Sequence, residues 1–306
     1  MKENKKTFSF VGNFKITGLI SIILILTGLV GLLLAPFGVS LFNFDIDFVG
    51  GTTMQFEMHQ EVTSALTQKV SAITEQATGV RPSSVTKAGD AGTQVVIKCA
   101  ELSSELRDAA FEAVRSEFNL PGTDSPIKSE FVSASVGSDL KRSAVLASTI
   151  AVALILVYIS IRFQFFSGLA AVIALLHDLL VMLSVYIIFR IPFNMNFIAA
   201  ALTILGYSIN ATIVVFDRVR ENTRLEPDKK FGQIIDDSIH QTFSRSINTT
   251  LTTLFAIVLL LVFGVDSIRN FALPVCVGII CGCYSSVCIS GPMWNLLEGR
   301  KRKKTA

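Results

Sequence analysis

Charged residues are scarce in this sequence. They make up 17% of its 306 residues, whereas hydrophobic residues make up 51%. A chain this apolar is not an ordinary soluble domain. The net charge is only +3, and basic residues concentrate at the two ends, in MKENKKTFSFVGNFK and GRKRKKTA. Basic ends of this kind favour retention on the cytoplasmic side of a membrane over nucleic-acid binding.

The sequence has no pattern typical of a disulfide framework or a zinc site. Of its five cysteines, Cys99 is alone in a polar region and four lie in the apolar run CVGIICGCYSSVC at 276–288. That run has no zinc-ligand spacing and no histidine or carboxylate beside it. Its small residues instead favour close helix packing, and Cys99 is expected to remain a free thiol.

Patterns typical of enzymes are missing as well. The sequence shows no nucleophile–base pair, no metal-ligand cluster and no phosphate-binding loop. The neighbouring His177 and Asp178 would need further ligands to build a metal-dependent hydrolase, and the chain offers none. We therefore expect no catalytic residues, no metal and no cofactor.

Long apolar runs are what the sequence does have. Six runs are each near the roughly 20 residues that cross about 30 Å of hydrocarbon. The first, 16–35, follows the basic segment 1–15, but it is longer than the apolar core of a signal peptide and no clear cleavage site follows it. We interpret it as a retained membrane helix. The others lie within 143–293, at Ser143–Ile161, Ser167–Phe189, Phe193–Phe216, Ile247–Phe263 and Phe271–Pro292.

The placement of charge predicts the topology. Six spans put both ends of the chain on the same side of the membrane. The basic N-terminus, Arg162, the charged loop after the fourth span and the basic tail 294–306 then share one side, while the connectors RIPFNM and GVDSIRN on the other side are nearly free of charge. The positive-inside rule therefore predicts that both termini are cytoplasmic.

The polar, acidic segment 36–142 is predicted to form a separate domain on the outside. Its stretch FDIDFVGGTTMQFEM alternates like a half-buried strand, and Gly50 and Gly51 indicate a bulge or break. Two amphipathic helices, two strands around a Gly-Asp-Ala-Gly turn and a last strand complete the order β-α-β-β-α-β, the ferredoxin-like arrangement. The predicted fold class is a polytopic α-helical membrane protein with six transmembrane helices and one extracytoplasmic α+β ferredoxin-like domain.

Segment 217–246, between the fourth and fifth spans, is predicted to be cytoplasmic and amphipathic. Its apolar residues recur every four positions, at Phe231, Ile235, Ile239, Phe243 and Ile247. We expect a helix that lies on the inner face of the membrane and leads into the fifth span.

Asp178 and His177 are candidates for a functional site, because charge inside a bilayer is costly. About 11 residues of the third span precede Asp178, which at about 1.5 Å each places it roughly 16 Å deep. Asp178 could pair with Arg245, could stay protonated as a hydrogen-bond donor, or could take up and release protons as the bundle rearranges. His177 projects about 100° away on a helix, so adjacency alone does not predict a relay between the two.

The fourth span carries further polar residues. Asn210 lies within the apolar part of the span and is expected to bond another helix. Asp217, Arg218 and Arg220 follow about two turns later and are expected to anchor the helix at the inner membrane interface.

Four segments together carry a family resemblance: FDIDFVGG, ALLHDLL, LTILGYSINATIVVFDRVREN and QTFSRSINTTLTTL. Over nearly its whole length the sequence resembles the SecD/SecF family of bacterial protein-export membrane proteins, in the resistance-nodulation-division superfamily. The resemblance implies a multi-pass protein of the plasma (inner) membrane that helps to move exported polypeptides with the proton-motive force. It implies SecD, the SecYEG channel, exported unfolded polypeptide, YajC and membrane lipid as partners, and no nucleic acid. The matching positions are Asp45, Asp47, Gly50, Gly51, Gly206, Tyr207, Ser208, Asn210, Asp217 and Arg218.

One position departs from the family pattern. The family commonly reads Ser-Ile-Asn-Asp in the fourth span, and that Asp is the residue most associated with proton coupling; here Ala211 takes its place. Arg245 matches the family's arginine at the start of the fifth span and would lack this partner, unless it extends to the inner surface.

Three hypotheses address the missing carboxylate. Asp178 could pair with Arg245 and carry the proton, or SecD could supply the titrating carboxylate and leave this chain as a scaffold. Alternatively, Asn210, Asp178 and backbone carbonyls could bind Na⁺.

Two other functions stay open: a stand-alone exporter of lipids or small molecules, and a structural subunit without ion flux. Exporters of this superfamily usually carry about twelve spans, which favours a half-unit that needs a partner.

Overall fold

The computed structural model describes residues 8–34, 37, 41–89, 91–121, 128–264 and 266–304. The chain divides into two compact units. One is helical and comprises Met1–Asn43 and Ala147–Ala306; the other comprises Phe44–Leu146.

The helices and strands are numbered in chain order. The helices are α1 Phe14–Leu34, α2 Ile46–Val49, α3 Ser64–Thr78, α4 Ser104–Phe118, α5 Ala134–Arg162, α6 Phe165–Ile188, α7 Met195–Leu225, α8 Phe231–Phe263, α9 Asp266–Ser285 and α10 Gly291–Lys304, with a π-helical segment Ser286–Ser290 between the last two. The strands are β1 Asn43–Phe44, β2 Gly51–Glu57, β3 Ser84–Ala88, β4 Gln94–Cys99, β5 Lys128–Val132 and β6 Pro192–Phe193.

The described residues contain six helices that are long and apolar enough to span a membrane. They are α1, α5, α6, α7, α8 and the continuous stretch from Ile268 to Glu298 through the π segment, which confirms the predicted number of spans. The helix α6 and the last span are the most buried, whereas α5 and α8 leave most of their apolar surface uncovered. The protein is therefore a multi-pass membrane protein whose inner helices are α6, α7 and α9.

The predicted segment 217–246 is not a separate element. Its first residues belong to α7, and its remainder forms one unbroken helix, α8, with the fifth span. Ile235 and Ile239 are fully buried in the core of the helical unit, and the Phe231 ring lies 5.3 Å from the ring of Trp294. The middle of the apolar face that was expected to lie on the membrane is thus covered by the bundle, whereas Phe243 remains exposed.

The unit Phe44–Leu146 contains the elements from β2 to β5 in the order β-α-β-β-α-β. Its four-stranded sheet has the order β3-β4-β2-β5, and each neighbouring pair is antiparallel. The side chains of Thr63 and Ser103 cap the N-termini of α3 and α4, as expected for these residue types. Apolar residues of both helices and of β2 and β4 form the core, with Met54, Phe56, Val70, Val95, Ile97 and Val114 among its most buried members.

The stretch FDIDFVGGTTMQFEM was predicted to be a strand with a break at its two glycines; this is confirmed for Gly51–Glu57 but is wrong for Ile46–Val49, which is helical. The Asp45 side chain accepts a hydrogen bond from the backbone N–H of Ile46, and the short helix α2 follows. Gly50 ends α2 with a φ of 73°, a conformation that favours glycine. After β1 the next strand begins only at Gly51, because the Asp45 side chain satisfies the N–H of Ile46 and thereby favours a helical turn over the alternating pattern.

Candidate functional site

A buried carboxylate near the middle of α6 forms the centre of the candidate site. Asp178 has no exposed surface, although its helix is otherwise apolar. A carboxylate in such surroundings is strongly destabilised unless hydrogen-bond donors surround it. Its partners therefore decide what it can do.

Asp178 is bonded by donors from three parts of the bundle. Its Oδ2 accepts from Oγ of Ser208 on α7 at 2.5 Å and from Oγ of Ser285 at the end of α9 at 2.8 Å. Its Oδ1 lies 2.9 Å from Nδ1 of His177. Hydrogen bonds to a charged acceptor are stronger than neutral ones, so a charged Asp178 holds α6, α7 and α9 together.

A small residue lets α7 and α9 approach closely at this site. Gly282 lies one turn before Ser285, and a Cβ built on it would lie 3.3 Å from Cβ of Ser208. A larger side chain would have to displace Ser208 or separate the helices. Glycine at this position therefore allows both serines to reach one carboxylate oxygen.

The structure brings the side chain of His177 to Asp178, a contact that adjacency in the sequence alone does not predict. Its Cα–Cβ bond points about 100° away from that of Asp178, yet the two side chains meet because both are long enough to turn toward one another. The other ring nitrogen, Nε2, is buried and has no hydrogen-bond partner in the part of the chain that the structure describes. The ring lies 6.1 Å from that of Tyr284, whose hydroxyl donates to the backbone oxygen of Thr17 at 2.7 Å. Polar groups thus extend from Asp178 toward α1.

Ser285 was missed by the sequence-based argument. The available signal was the Ser285–Ser286 pair within the otherwise apolar run 276–288. The π-helical segment Ser286–Ser290 follows directly, and Thr17 donates to the backbone oxygen of Cys288 there at 3.3 Å. Single π turns occur often at functional sites, and this one lies beside Asp178's partner.

Arg245 and Asp178 do not pair in the structure. The recorded partners of Asp178 are His177, Ser208 and Ser285, and Arg245 makes no side-chain hydrogen bond or ion pair with any described residue. Arg245 instead lines a cavity of about 100 Å³ between α7 and α8. The other lining residues are Tyr207, Asn210, Ala211, Val214, Ser246 and Thr249.

The structure places Asn210 away from Asp178. Ser208 points to the carboxylate, and two residues later on a helix the side chain lies on nearly the opposite face. Asn210 is accordingly exposed and lines the α7–α8 cavity. Its amide and Asp178 therefore do not share one cation site, contrary to the Na⁺ hypothesis.

The remaining motif positions of α7 divide between a helix contact and an open surface. The Tyr207 hydroxyl donates to Oγ1 of Thr250 on α8 at 3.0 Å. A Cβ on Gly206 would meet nothing within 4 Å. Since Gly206 and Asn210 are one turn apart and both exposed, they form an uncovered strip beside the Arg245 cavity.

Charged residues cluster at the C-terminal ends of α5 and α7. Arg162, the last residue of α5, contacts both carboxylate oxygens of Asp217, at 2.8 and 2.7 Å. Arg218 pairs with Glu221 at 2.7 Å. The Arg162–Asp217 pair joins the end of α5 to α7, whereas the Arg218–Glu221 pair lies within α7.

The motif residues of the other unit hold its first turn in place. Asp45 pairs with Lys98 of β4 at 2.7 Å. A Cβ on Gly51 would collide with the backbone of Cys99, and one on Gly50 would lie 2.8 Å from Cα of Ala134. Asp47 lies in the first turn of α2. These motif positions therefore stabilise the fold of this unit. Cys99 lies in the same unit, and burial raises the pKa of its thiol to about 11.

The chain is similar in sequence to known protein-export membrane proteins. A family model described as "Protein export membrane protein SecD/SecF, C-terminal" matches residues 115–300. The chain is similar to protein translocase subunit SecF of Sebaldella termitidis, with 37% identity over 85% of this chain and 84% of that protein. For subunit SecF of Rickettsia bellii the identity is 35%, over 98% of this chain and 97% of that protein.

Longer proteins match as well. Protein translocase subunit SecDF of Bacillus subtilis is 36% identical over 86% of this chain, which corresponds to 35% of that protein. The crystal structure of SecDF from Thermus thermophilus, a translocon-associated membrane protein, superimposes with a TM-score of 0.83 and 31% identity. That match covers 99% of this chain and 40% of the Thermus chain.

Proposed function

Because the chain belongs to the SecD/SecF family of protein-export membrane proteins, we propose that it is an accessory subunit of the Sec translocation machinery. In this role it helps exported polypeptides to cross the bacterial plasma membrane with energy from the ion-motive force. The proposal rests on relatives named as translocase subunits that match most of its length.

We propose SecD as the partner within the membrane. In the SecDF proteins the part that matches this chain is a little more than a third of one longer polypeptide. The uncovered strip of Gly206 and Asn210 lies on the same side of the bundle as Arg245, which has no partner among the described residues. A second set of helices would cover this side. A carboxylate from that partner would satisfy Arg245, because an unpaired cation within a membrane is costly. The complex of this chain with SecD would then contact the SecYEG channel, YajC and the exported polypeptide.

The topology follows the positive-inside rule, with both termini cytoplasmic and the unit Phe44–Leu146 outside. The strand order and the sequence of elements in that unit agree with a ferredoxin-like domain. We propose that its outer position lets it contact exported polypeptide, or the corresponding domain of the partner.

Asp178 is proposed as the ion-coupling group of this chain. A charged Asp178 accepts from both serines and from His177. Once protonated, it is neutral and can donate to Nδ1 of His177, and its bonds to the serines weaken because they lose charge assistance. Protonation would therefore loosen α7 and α9 from α6, which converts proton binding into a change of helix packing.

Export kinetics test this proposal. The native protein is depleted, Asp178→Asn is expressed at a matched membrane level, and one exported precursor is followed by pulse-chase with and without a protonophore. Asp228→Asn serves as the matched control, because it makes the same change in the exposed loop between α7 and α8. We expect Asp178→Asn to export at the depleted rate and to lose the protonophore-sensitive component, while Asp228→Asn behaves like the wild type.

Normal, protonophore-sensitive export by Asp178→Asn would show that Asp178 is structural and that the coupling carboxylate belongs to the partner. Co-purification from native membranes separates the accessory role from that of a stand-alone exporter. A larger multi-span protein should co-purify if the chain is an accessory subunit, whereas an active homodimer would contradict that role.

A further inference from the structure

A cavity of about 390 Å³ lies among the charged helix ends described above. Its lining consists of Arg162, Asp217, Arg220, Glu221, Arg224 and Leu225. Arg162 is the last residue of α5 and Leu225 the last of α7, and α6 begins at Phe165. A cavity at the ends of membrane-spanning helices lies at the boundary between hydrocarbon and headgroups.

The cavity carries uncompensated positive charge. Arg162 forms an ion pair with Asp217, and Glu221 forms one with Arg218. The Nη1 atom of Arg220 donates to the backbone oxygen of Arg162 at 3.1 Å and is 3.9 Å from the Asp217 carboxylate, so Asp217 is shared between two arginines.

Arg224 has no side-chain hydrogen bond or ion pair to any described residue. The cavity is thus lined by three arginines, at 162, 220 and 224, and by two carboxylates, of which Glu221 also pairs with Arg218 outside the lining, so the lining carries a net positive charge. An anion would be attracted to the cavity, and guanidinium groups bind phosphate oxygens in a fixed fork geometry.

One large apolar side chain, that of Leu225, lines the same cavity, and two others lie within three positions of its lining residue Arg162 in the chain. Ile161 and Phe165, on either side of Arg162 in the chain, are 83% and 76% exposed, and the lining residue Leu225 is 69% exposed. A free inorganic anion would not cover these apolar surfaces. A molecule with a phosphate group and acyl chains would cover them and fill the charged cavity at once.

We propose that this cavity binds the headgroup of an acidic phospholipid, with its phosphate between Arg220 and Arg224 and its acyl chains along Ile161 and Phe165. The occupant is acidic rather than zwitterionic, because an added ammonium group would meet the surplus of arginine charge. A lipid bound here would join the ends of α5 and α7, so that the lipid composition of the membrane would affect the outermost helix of the bundle.

Lipid binding by the purified full-length protein tests the proposal. Native mass spectrometry in detergent would be carried out with phosphatidylglycerol, with phosphatidylcholine and with inorganic phosphate. The central variant is Arg224→Gln, which breaks no recorded contact. Lys230→Gln is its control, because it removes one positive charge in the neighbouring loop but lies outside the cavity. A basic residue near an acidic lipid contributes about fivefold in affinity, so we expect phosphatidylglycerol to bind Arg224→Gln about fivefold more weakly and Lys230→Gln as tightly as the wild type.

A second variant has the opposite expected sign. Asp217→Asn removes a negative charge from the cavity and frees Arg162, so it should bind phosphatidylglycerol more tightly than the wild type, which a damaged fold would not do. The proposal is overturned if Arg224→Gln binds normally, if Lys230→Gln weakens binding equally, or if phosphatidylcholine binds as tightly as phosphatidylglycerol. It is also overturned if millimolar inorganic phosphate displaces the lipid, since the cavity would then be a site for free anions.

Discussion

Ala211 of α7 and Arg245 of α8 line the same cavity of about 100 Å³. A carboxylate at position 211 would therefore extend into the space beside the guanidinium. In this chain a methyl group leaves that space open and Arg245 without a partner among the described residues. The buried carboxylate of this bundle is Asp178, which accepts hydrogen bonds from Ser208 and Ser285 instead of meeting Arg245.

Restoring the carboxylate should create an ion pair. We expect Ala211→Asp to be tolerated in the presence of Arg245 and to be poorly tolerated with Arg245→Gln, because an unpaired carboxylate at this depth is strongly unfavourable. A double-mutant cycle on thermal stability in detergent should give a coupling energy of about 1–2 kcal/mol. Additive effects of the two changes would mean that the side chains do not meet.

The serines around Asp178 should stabilise the bundle. Ser208→Ala and Ser285→Ala each remove a donor from a fully buried carboxylate, so each should lower the free energy of unfolding by about 1–3 kcal/mol. Ser290→Ala is the matched control, because its buried hydroxyl donates only to the backbone oxygen of Ser286. Equal melting temperatures for Ser285→Ala and Ser290→Ala would contradict the importance of the Asp178 contacts.

The segment before α1 should be held by Asp236 of α8. Its carboxylate accepts from Oγ of Ser9 at 2.6 Å and from the backbone N–H of Val11 at 2.9 Å. Asp236→Asn keeps only one acceptor oxygen and should cost about 1–2 kcal/mol of stability. Its neighbour Asp237 makes an exposed pair with Lys229, so Asp237→Asn should cost about 0–1 kcal/mol. Proteolysis of the N-terminal segment and the melting temperature measure the difference, and a reversed order would refute the role of Asp236.

Cys99 should react slowly with thiol reagents until its unit unfolds. It is 3% exposed, and burial raises the pKa of its thiol from about 9 to about 11. At pH 8 the folded unit therefore holds about 100-fold less thiolate than the unfolded chain. Because the charged form is favoured only after unfolding, stability should fall as the pH rises above about 9. Maleimide labelling with and without denaturant, with Cys99→Ala to identify the signal, checks both expectations; rapid labelling of the native protein would contradict them.

The number of membrane spans could be predicted from the sequence because it depends on local composition. A run of about 20 apolar residues must cross the bilayer wherever its neighbours lie, and the structure confirms six such helices. A short pattern is less decisive: the alternation in FDIDFV indicated a strand, but one cap at Asp45 made a helix of Ile46–Val49. Similarly, the spacing of Ile235 and Ile239 showed an apolar face but not whether protein or membrane would cover it.

The sequence by itself determined the membrane class, the number of spans and the residues whose burial would need compensation, among them Asp178 and Arg245. These follow from the cost of transferring each group out of water, which is a property of the residue. Only the tertiary structure decided which groups meet. Ser285 is 107 positions from Asp178 in the chain, and its contact depends on how α9 is rotated and how closely Gly282 lets it approach α7. Such rotations are set by packing across the whole bundle. They place Arg245 beside a cavity and place the hydroxyl groups of Ser208 and Ser285 beside Asp178.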